Sequence, residues 1–311
     1  MDVPNRQLTR AGAPRGYIDS GPLRELWLHT GTACNLACPF CLEGSKPGDK
    51  RLQLLRFDDV KPFIDEAMGL GVEQFSFTGG EPFLARDLPR ILTYAAELRP
   101  CLVLTNATLP LLRRLHQCEE LRHSPHPVAF RVSIDYPQRE RHDKGRGQGS
   151  FEQALRGLEA LHGRGFGVSI ARQWSPGEDT RMVEDGYRRL LTEHGLPADI
   201  PLISFPDFHP PGSQIDEETE ISEDCMTRYH SPESRAGFMC SFSRMLVKID
   251  GRIRVYACTL VDDDPDYDLG ATLGESLGQR ILLSHHRCLS CFRHGASCSE
   301  MATTAGSVLA L

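Results

Sequence analysis

Three cysteines, Cys34, Cys38 and Cys41, stand within the stretch TACNLACPFCLEG. Three thiols cannot all pair with one another as disulfides, because any pair leaves one over. The i, i+4, i+7 spacing would also suit one buried face of a helix. Pro39 argues against that face, since a proline pushes Cys38 out of helical geometry and removes a backbone donor in mid-helix. The stretch is therefore predicted to be a loop, and a loop can wrap three thiolates around a compact inorganic core. Structural zinc asks for four protein ligands, and no fourth stands nearby. Three thiolates on a cluster of four irons leave one iron without a protein ligand.

More thiols follow in the last third. Cys240 and Cys258 flank MLVKIDGRIRVYA, an alternating pattern that reads as a hairpin turning at Asp250 and Gly251. Next come Cys288 and Cys291 in CLSC, and then Cys298. A hairpin pair plus a CxxC would close a four-thiolate set, and the residues alone leave zinc and an iron-sulfur cluster equally open. Cys101 and Cys118 read as small buried apolar residues. Eleven cysteines in 311 residues point to metal binding rather than disulfides, on the expectation of a reducing cytoplasmic setting.

These side chains need a scaffold. Short apolar runs at Leu26–His29, Gln74–Phe77, Leu102–Thr105, Phe130–Ile134, Gly167–Ala171 and Pro201–Ser204 read as strands. Helical patterns alternate with them around Phe57–Gly69, Leu88–Leu98, Leu109–Cys118, Ser150–His162 and Asp179–His194. In the fourth of these, Ser150 and Gln153 suggest a capping box, and Phe151, Ala154, Leu155, Leu158 and Leu161 share one face. Strands alternating with helices imply an α/β fold with a parallel sheet, and six units would make an incomplete TIM-like barrel with its reactive groups at the carboxyl ends of the strands. The polar motifs obey that rule: the cysteines follow the first strand, TGGEP (Thr78–Pro82) the second, TNAT (Thr105–Thr108) the third, and SID (Ser133–Asp135) ends the fourth. Paired glycines there would let backbone approach a ligand closely, although an ordinary tight turn uses them too.

Residues 1–21 read as a polar tail that packs on the body, 22–204 as the partial barrel, and 205–311 as a proline-rich and acidic linker plus a small cysteine-rich extension. With 35 Lys and Arg against 42 Asp and Glu, the net charge of −7 argues against a nucleic-acid surface. No apolar run reaches the roughly 18 residues of a membrane span, and the N-terminus lacks a signal-peptide core.

The cysteine triplet with Phe40 before its last member, followed by GGEP some forty residues on, resembles the radical S-adenosylmethionine (SAM) superfamily over about Leu26 to Leu196. The resemblance implies a partial (βα)6 barrel with a 4Fe-4S cluster on Cys34, Cys38 and Cys41. The open iron would take the amino and carboxylate groups of SAM. One electron, from a donor such as flavodoxin or ferredoxin, would cleave the sulfonium to a 5′-deoxyadenosyl radical that abstracts hydrogen from substrate. By the same resemblance Gly79, Gly80 and Glu81 would meet the amino group of SAM and Phe40 its adenine, while Asn106 and Ser133 approach the ribose and carboxylate. Ser133 to Phe151 is similar to the family's SIDG…HD..RG…SF stretch, with Tyr136 where glycine is usual. Arg146 is the candidate cation for the SAM carboxylate, with Arg172 competing for the role, and His142 and Asp143 are expected to order the loop.

The C-terminal cysteines are similar to the SPASM and shorter twitch extensions of the same superfamily. That implies one auxiliary 4Fe-4S cluster on Cys240, Cys258, Cys288 and Cys291, with Cys225 and Cys298 as a substitute ligand or spare thiols. Such a cluster would accept an electron from the substrate radical, giving a two-electron oxidation of a small molecule or a peptide. The oxidation also needs a base; Asp207, His209, Tyr229 and Asp262 are the candidates, each with a solvated surface position as its plainer reading. The rivals are a peptide maturase and a zinc-stabilised, non-enzymatic binding protein.

Overall fold

The computed structural model describes residues 6–175, 177–206, 220–295 and 299. Asp207, His209 and Cys298 lie outside the described residues. The strands are β1 (Tyr17–Asp19), β2 (Glu25–His29), β3 (Gln74–Thr78), β4 (Cys101–Thr105), β5 (Val128–Ser133), β6 (Gly167–Gln173), β7 (Leu202–Phe205), β8 (Ser243–Ile249), β9 (Arg252–Tyr256) and β10 (Arg280–Leu282). The helices are α1 (Phe57–Gly69), α2 (Leu88–Ala96), α3 (Leu109–Arg114), α4 (Arg139–Arg146), α5 (Ser150–His162), α6 (Thr180–Glu193), α7 (Glu223–Tyr229), α8 (Pro232–Ala236), α9 (Met239–Phe242), α10 (Leu273–Leu277) and α11 (His286–His294).

The expected strand and helix alternation yields a mostly parallel sheet, ordered β7-β6-β5-β4-β3-β2-β8-β9. β2 to β7 are all parallel and lie in chain order. The sheet is open, with β7 and β9 at its edges. Helix-facing residues such as Leu26, Leu28, Phe75, Phe77 and Phe130 form one core with Val60, Ile64, Leu155 and Leu158. The side-chain period of two sends Trp27 to the opposite face, where it joins a second core with the residues around the C-terminal cysteines.

The C-terminal hairpin turns at Asp250 (φ 49°) and Gly251 (φ 77°), the two left-handed residues of a type I′ turn. Its first strand does not stand apart: β8 pairs parallel with β2, Trp27 opposite Met245 and Leu28 opposite Leu246. The N-terminal segment packs on the body through β1, which pairs antiparallel with β10.

Two local expectations need correction. The helix expected over Leu109–Cys118 is α3 followed by a 3-10 segment, Leu115–His123. The capping box at Ser150 and Gln153 is not formed: Gly149, with φ 79°, is the N-cap, and Gln153 Oε1 instead accepts the N–H of Leu109 at 3.3 Å. Asp143 takes over, accepting the N–H groups of Gly149 (2.8 Å) and Phe151 (2.9 Å) and the hydroxyl of Ser150 (3.1 Å).

Candidate active site

The segment Cys34 to Cys41 is a loop, as Pro39 requires. Its shape is imposed from several sides. Cys41 N–H bonds to Cys38 C=O, and Gly44 N–H to Cys41 C=O, so the last cysteine sits at a tight turn. Gly80 N–H bonds to Gly31 C=O and Glu81 N–H to Ala33 C=O, which lays the glycine pair along the loop's entry. There the chain itself fills the space that side chains would need. A Cβ on Gly79 (φ 141°) would lie 2.6 Å from Thr30 Oγ1, and one on Gly80 would collide with the carbonyl of Ala33. The loop's return is tied by Asp49, buried, which accepts the Thr32 hydroxyl at 2.9 Å and pairs with Arg51.

A cavity of ~230 Å³ opens at the carboxyl ends of the strands. Cys34, Cys38, Phe40, Cys41, Gly79, Gly80, Asn106, Ser133 and Arg146 all line it. The structure thus brings together nine of the residues expected from sequence. Glu81 is adjacent but turned inward: fully buried, it accepts from Thr105 Oγ1 (2.9 Å), Asn106 N–H (2.9 Å) and Phe83 N–H (3.1 Å), and burial pushes its carboxyl up to about 7. Asn106 uses its side chain to hold the loop, donating to Asn35 Oδ1 at 3.1 Å and towards Cys34 Sγ at 3.9 Å while accepting from Thr108.

Arg146 forms a two-point pair with Asp135, at 2.5 Å through Nε and 2.9 Å through Nη2, and its guanidinium lies 5.5 Å from the Phe40 ring centre. The fork-to-carboxylate match leaves Nη1 as the atom that could meet a second anion. Arg172 also lines the cavity but is committed to Glu178 at 2.6 Å, with both side chains buried. His142 Nδ1 accepts the Asp135 N–H, and with Asp143 it orders the segment as expected. Tyr136 stacks under Arg141, 3.7 Å from its guanidinium carbon.

Burial raises all three loop thiols, Cys34 to about 12, while the Arg146 guanidinium pulls Cys38 and Cys41 the other way. Such thiols stay neutral without a cation, whereas a metal centre would stabilise the thiolates, so the donor set suits an iron-sulfur cluster. The C-terminal thiols behave alike. Cys240, Cys258, Cys288 and Cys291 are all buried in one core, and burial lifts Cys240 to about 12 and Cys288 to about 11. They are close enough that Cys258 feels Cys240, Cys288 and Cys291 electrostatically. Cys225 packs against the same core, with its sulfur accepting the Ser222 hydroxyl. Cys101 and Cys118 are buried, as expected.

Sequence reading missed Trp27, Leu104, Phe205 and Thr259, which also line the cavity. Strand alternation carries the signal for Trp27 and Leu104; nothing local carries it for Thr259. It also missed a buried triad: His29 Nε2 lies 3.2 Å from Glu43 Oε2 and 3.7 Å from Asp262 Oδ2. Asp262 is therefore not a surface group, and burial beside Glu43 raises its carboxyl far above the usual range. The triad has metal-like spacing, but Gly31 donates its N–H to His29 Nδ1 at 3.2 Å, so the ring proton sits on Nε2 facing the carboxylates. A ligating histidine would have its other nitrogen donating instead. Of the proposed bases, Tyr229 is exposed and touches Phe292 edge-on.

Fold and site together define an α/β protein with a mostly parallel, open sheet and a cysteine loop at the carboxyl ends of its strands. The chain belongs to the radical SAM superfamily, a family of enzymes, whose model matches residues 28–187. That membership implies a 4Fe-4S cluster and SAM. An AdoMet-dependent heme synthase of Oleidesulfovibrio alaskensis is 34% identical over 165 residues, covering 50% of this chain and 40% of that protein. A GTP 3′,8-cyclase of Stenotrophomonas maltophilia is 32% identical over 137 residues, covering 43% of this chain and 40% of that one. The matches thus span about two fifths of those relatives' length. Among solved structures, Streptococcus suis SuiB bound to precursor peptide SuiA aligns with a TM-score of 0.61 and 16% identity over 84% of this chain and 66% of that one. A histidine-tagged anSMEcpe with bound AdoMet aligns with a TM-score of 0.59 and 17% identity over 86% and 79%. At these identities the likeness is one of fold.

Proposed function

We propose that the chain is a radical SAM oxidoreductase that removes two electrons from a small-molecule or peptide substrate. Cys34, Cys38 and Cys41 would hold the catalytic cluster, and Cys240, Cys258, Cys288 and Cys291 an auxiliary 4Fe-4S cluster. The observation that carries this reading is the cavity shared by the three cysteines, the glycine pair and the Arg146–Asp135 pair. When bound, the cluster and SAM supply one-electron cleavage and hydrogen-atom abstraction; a flavodoxin or ferredoxin would supply the electron. The protein's own contribution is position: Gly79 and Gly80 on the amino group of SAM, Phe40 on its adenine, Asn106 and Ser133 on its ribose and carboxylate, and Arg146 near the carboxylate.

For the C-terminal site, the likeness of the cysteine pattern to SPASM and twitch extensions favours a cluster over zinc, and burial of all four thiols in one core is compatible with it. A two-electron oxidation would balance with one hydrogen atom taken up by chemistry that SAM supplies, one electron accepted by a cluster that Cys240, Cys258, Cys288 and Cys291 would hold, and one proton taken by a base. The fold likeness to peptide-bound SuiB supports the peptide maturase as the second reading. Among the described residues no helix is long and apolar enough to cross a membrane.

The test is anaerobic reconstitution with iron and sulfide, then quantification of 5′-deoxyadenosine by mass spectrometry. About eight irons per chain are expected, falling to about four in the variant with Cys34, Cys38 and Cys41 all replaced by Ala, which makes no 5′-deoxyadenosine. Loss of all iron in that variant, or colourless protein holding zinc, overturns the assignment.

A further inference from the structure

We infer that Arg287 is a positioning residue that locks the N-terminal cysteine loop to the C-terminal cysteine site. The inference rests on the two-site reading above. Three segments converge on this one guanidinium, and each carries a cysteine close by. Nη2 donates to the carbonyl of Leu42 at 2.8 Å, the residue after Cys41. Nη1 donates to the carbonyl of Leu260 at 3.0 Å, two residues beyond Cys258, and to Asp263 Oδ1 at 3.0 Å. Arg287 itself precedes Cys288 at the start of α11.

The side chain is 0% exposed. Desolvating a guanidinium is costly, so it stays there only while its carbonyl and carboxylate partners are held in place. Those partners are held. Asp263 also faces His285 Nε2 at 3.5 Å, and Cys288 N–H bonds back to His285 C=O. On the loop side, Arg51 binds the carbonyl of Glu43 at 2.5 Å, and Gly44 N–H binds that of Cys41. Glu43, next to Leu42, and Asp262, next to Asp263, both face His29 Nε2, at 3.2 and 3.7 Å, and brace the same seam.

Whatever fixes Cys258 and Cys288 therefore fixes the Leu42 carbonyl, and with it the turn that presents Cys41 to the cavity. By linkage the effect runs both ways: filling the C-terminal site tightens the N-terminal loop, and SAM binding steadies the C-terminal site. A planar fork can serve three oxygens at once, whereas a lysine ammonium offers a compact charge without that geometry.

The experiment uses the full, anaerobically reconstituted chain. Iron counted in the variant with Cys34, Cys38 and Cys41 replaced by Ala first establishes whether the C-terminal site loads. If it holds no metal, the two-site reading fails, whatever Arg287 does. With the site loaded, Arg287→Met is expected to bind SAM about tenfold more weakly by calorimetry and to lose part of the SAM-induced change in the electron paramagnetic resonance spectrum of the reduced N-terminal cluster. Arg287→Lys should recover part of both. Wild-type affinity and spectrum in Arg287→Met overturn the inference. Should Arg287→Met not fold, hydrogen exchange over residues 34–44 decides without it. That exchange is expected to be faster in Cys288→Ser/Cys291→Ser than in wild type, with α5 unchanged, and equal exchange overturns the inference.

Discussion

The glycines after β3 show how one missing side chain shapes the site. A Cβ on Gly80 would collide with the carbonyl of Ala33, and the entry of the cysteine loop runs through that space. Gly80→Ala must push the loop away from the sheet. It is expected to lower N-terminal iron by half or more and to weaken SAM binding, while far-UV circular dichroism stays unchanged; full iron retention counts against the contact. Gly145 plays a similar part across the cavity, since a Cβ there would lie 2.6 Å from the Phe40 ring. The sequence marks Gly80 as part of a glycine pair at a strand end, but not the Ala33 carbonyl it lies against, and Gly145 carries no local mark at all, because what each meets is remote in the chain. Asn106 and Glu81 make a related point. Each follows a strand end as expected, yet Glu81 accepts backbone N–H groups away from the cavity, and Asn106, which lines it, spends its side chain on Asn35 and Thr108.

At the scale of elements, periodicity placed the strands and most helices because apolar alternation reports burial directly. Capping was less legible. Ser150 and Gln153 have the right types and spacing, but their own N–H groups bond to the carbonyls of Gly147 and Gly149, and Asp143 on α4 takes the Ser150 hydroxyl and the N–H groups of Gly149 and Phe151. Although burial opposes it, the N–H groups of Phe151 and Gly149 hold the Asp143 carboxyl below its usual range. Asp143→Ala is therefore expected to cost about 1–3 kcal/mol. Gln153→Ala, which loses only a 3.3 Å bond from Leu109, should cost less than half as much. Urea midpoints of the two variants check this, and a larger loss in Gln153→Ala would restore the capping box.

Over the whole molecule, the sheet face that carries Trp27 also carries polar groups at the opposite end of the strands from the cavity. Glu25, 0% exposed at the start of β2, accepts from Ser76 Oγ at 2.6 Å and Gln74 Nε2 at 3.0 Å, and burial raises its carboxyl. The folded chain therefore keeps this proton above about pH 4.3, where the unfolded chain has lost it. Stability then falls as pH rises from there to the folded value. Glu25→Gln keeps the accepting oxygen and removes the titration. Its melting temperature should match wild type near pH 4 and exceed it at pH 8; an unchanged difference at the two pH values would show that Glu25 does not titrate in folding.

The cysteine spacing, Pro39, the glycine pair and the strand rhythm determined the fold class and which residues gather at the mouth, because each of these signals is local: a loop forced by proline, a period of two, a turn at a strand end. Tertiary structure alone decided that β8 extends the sheet beside β2, that Arg146 is held by Asp135, and that His29, Glu43, Asp262 and Arg287 form a buried polar seam between the two cysteine sites. Those pairings join residues up to 245 positions apart, and a charged residue in a polar stretch looks the same in sequence whether solvent or a distant carbonyl will satisfy it.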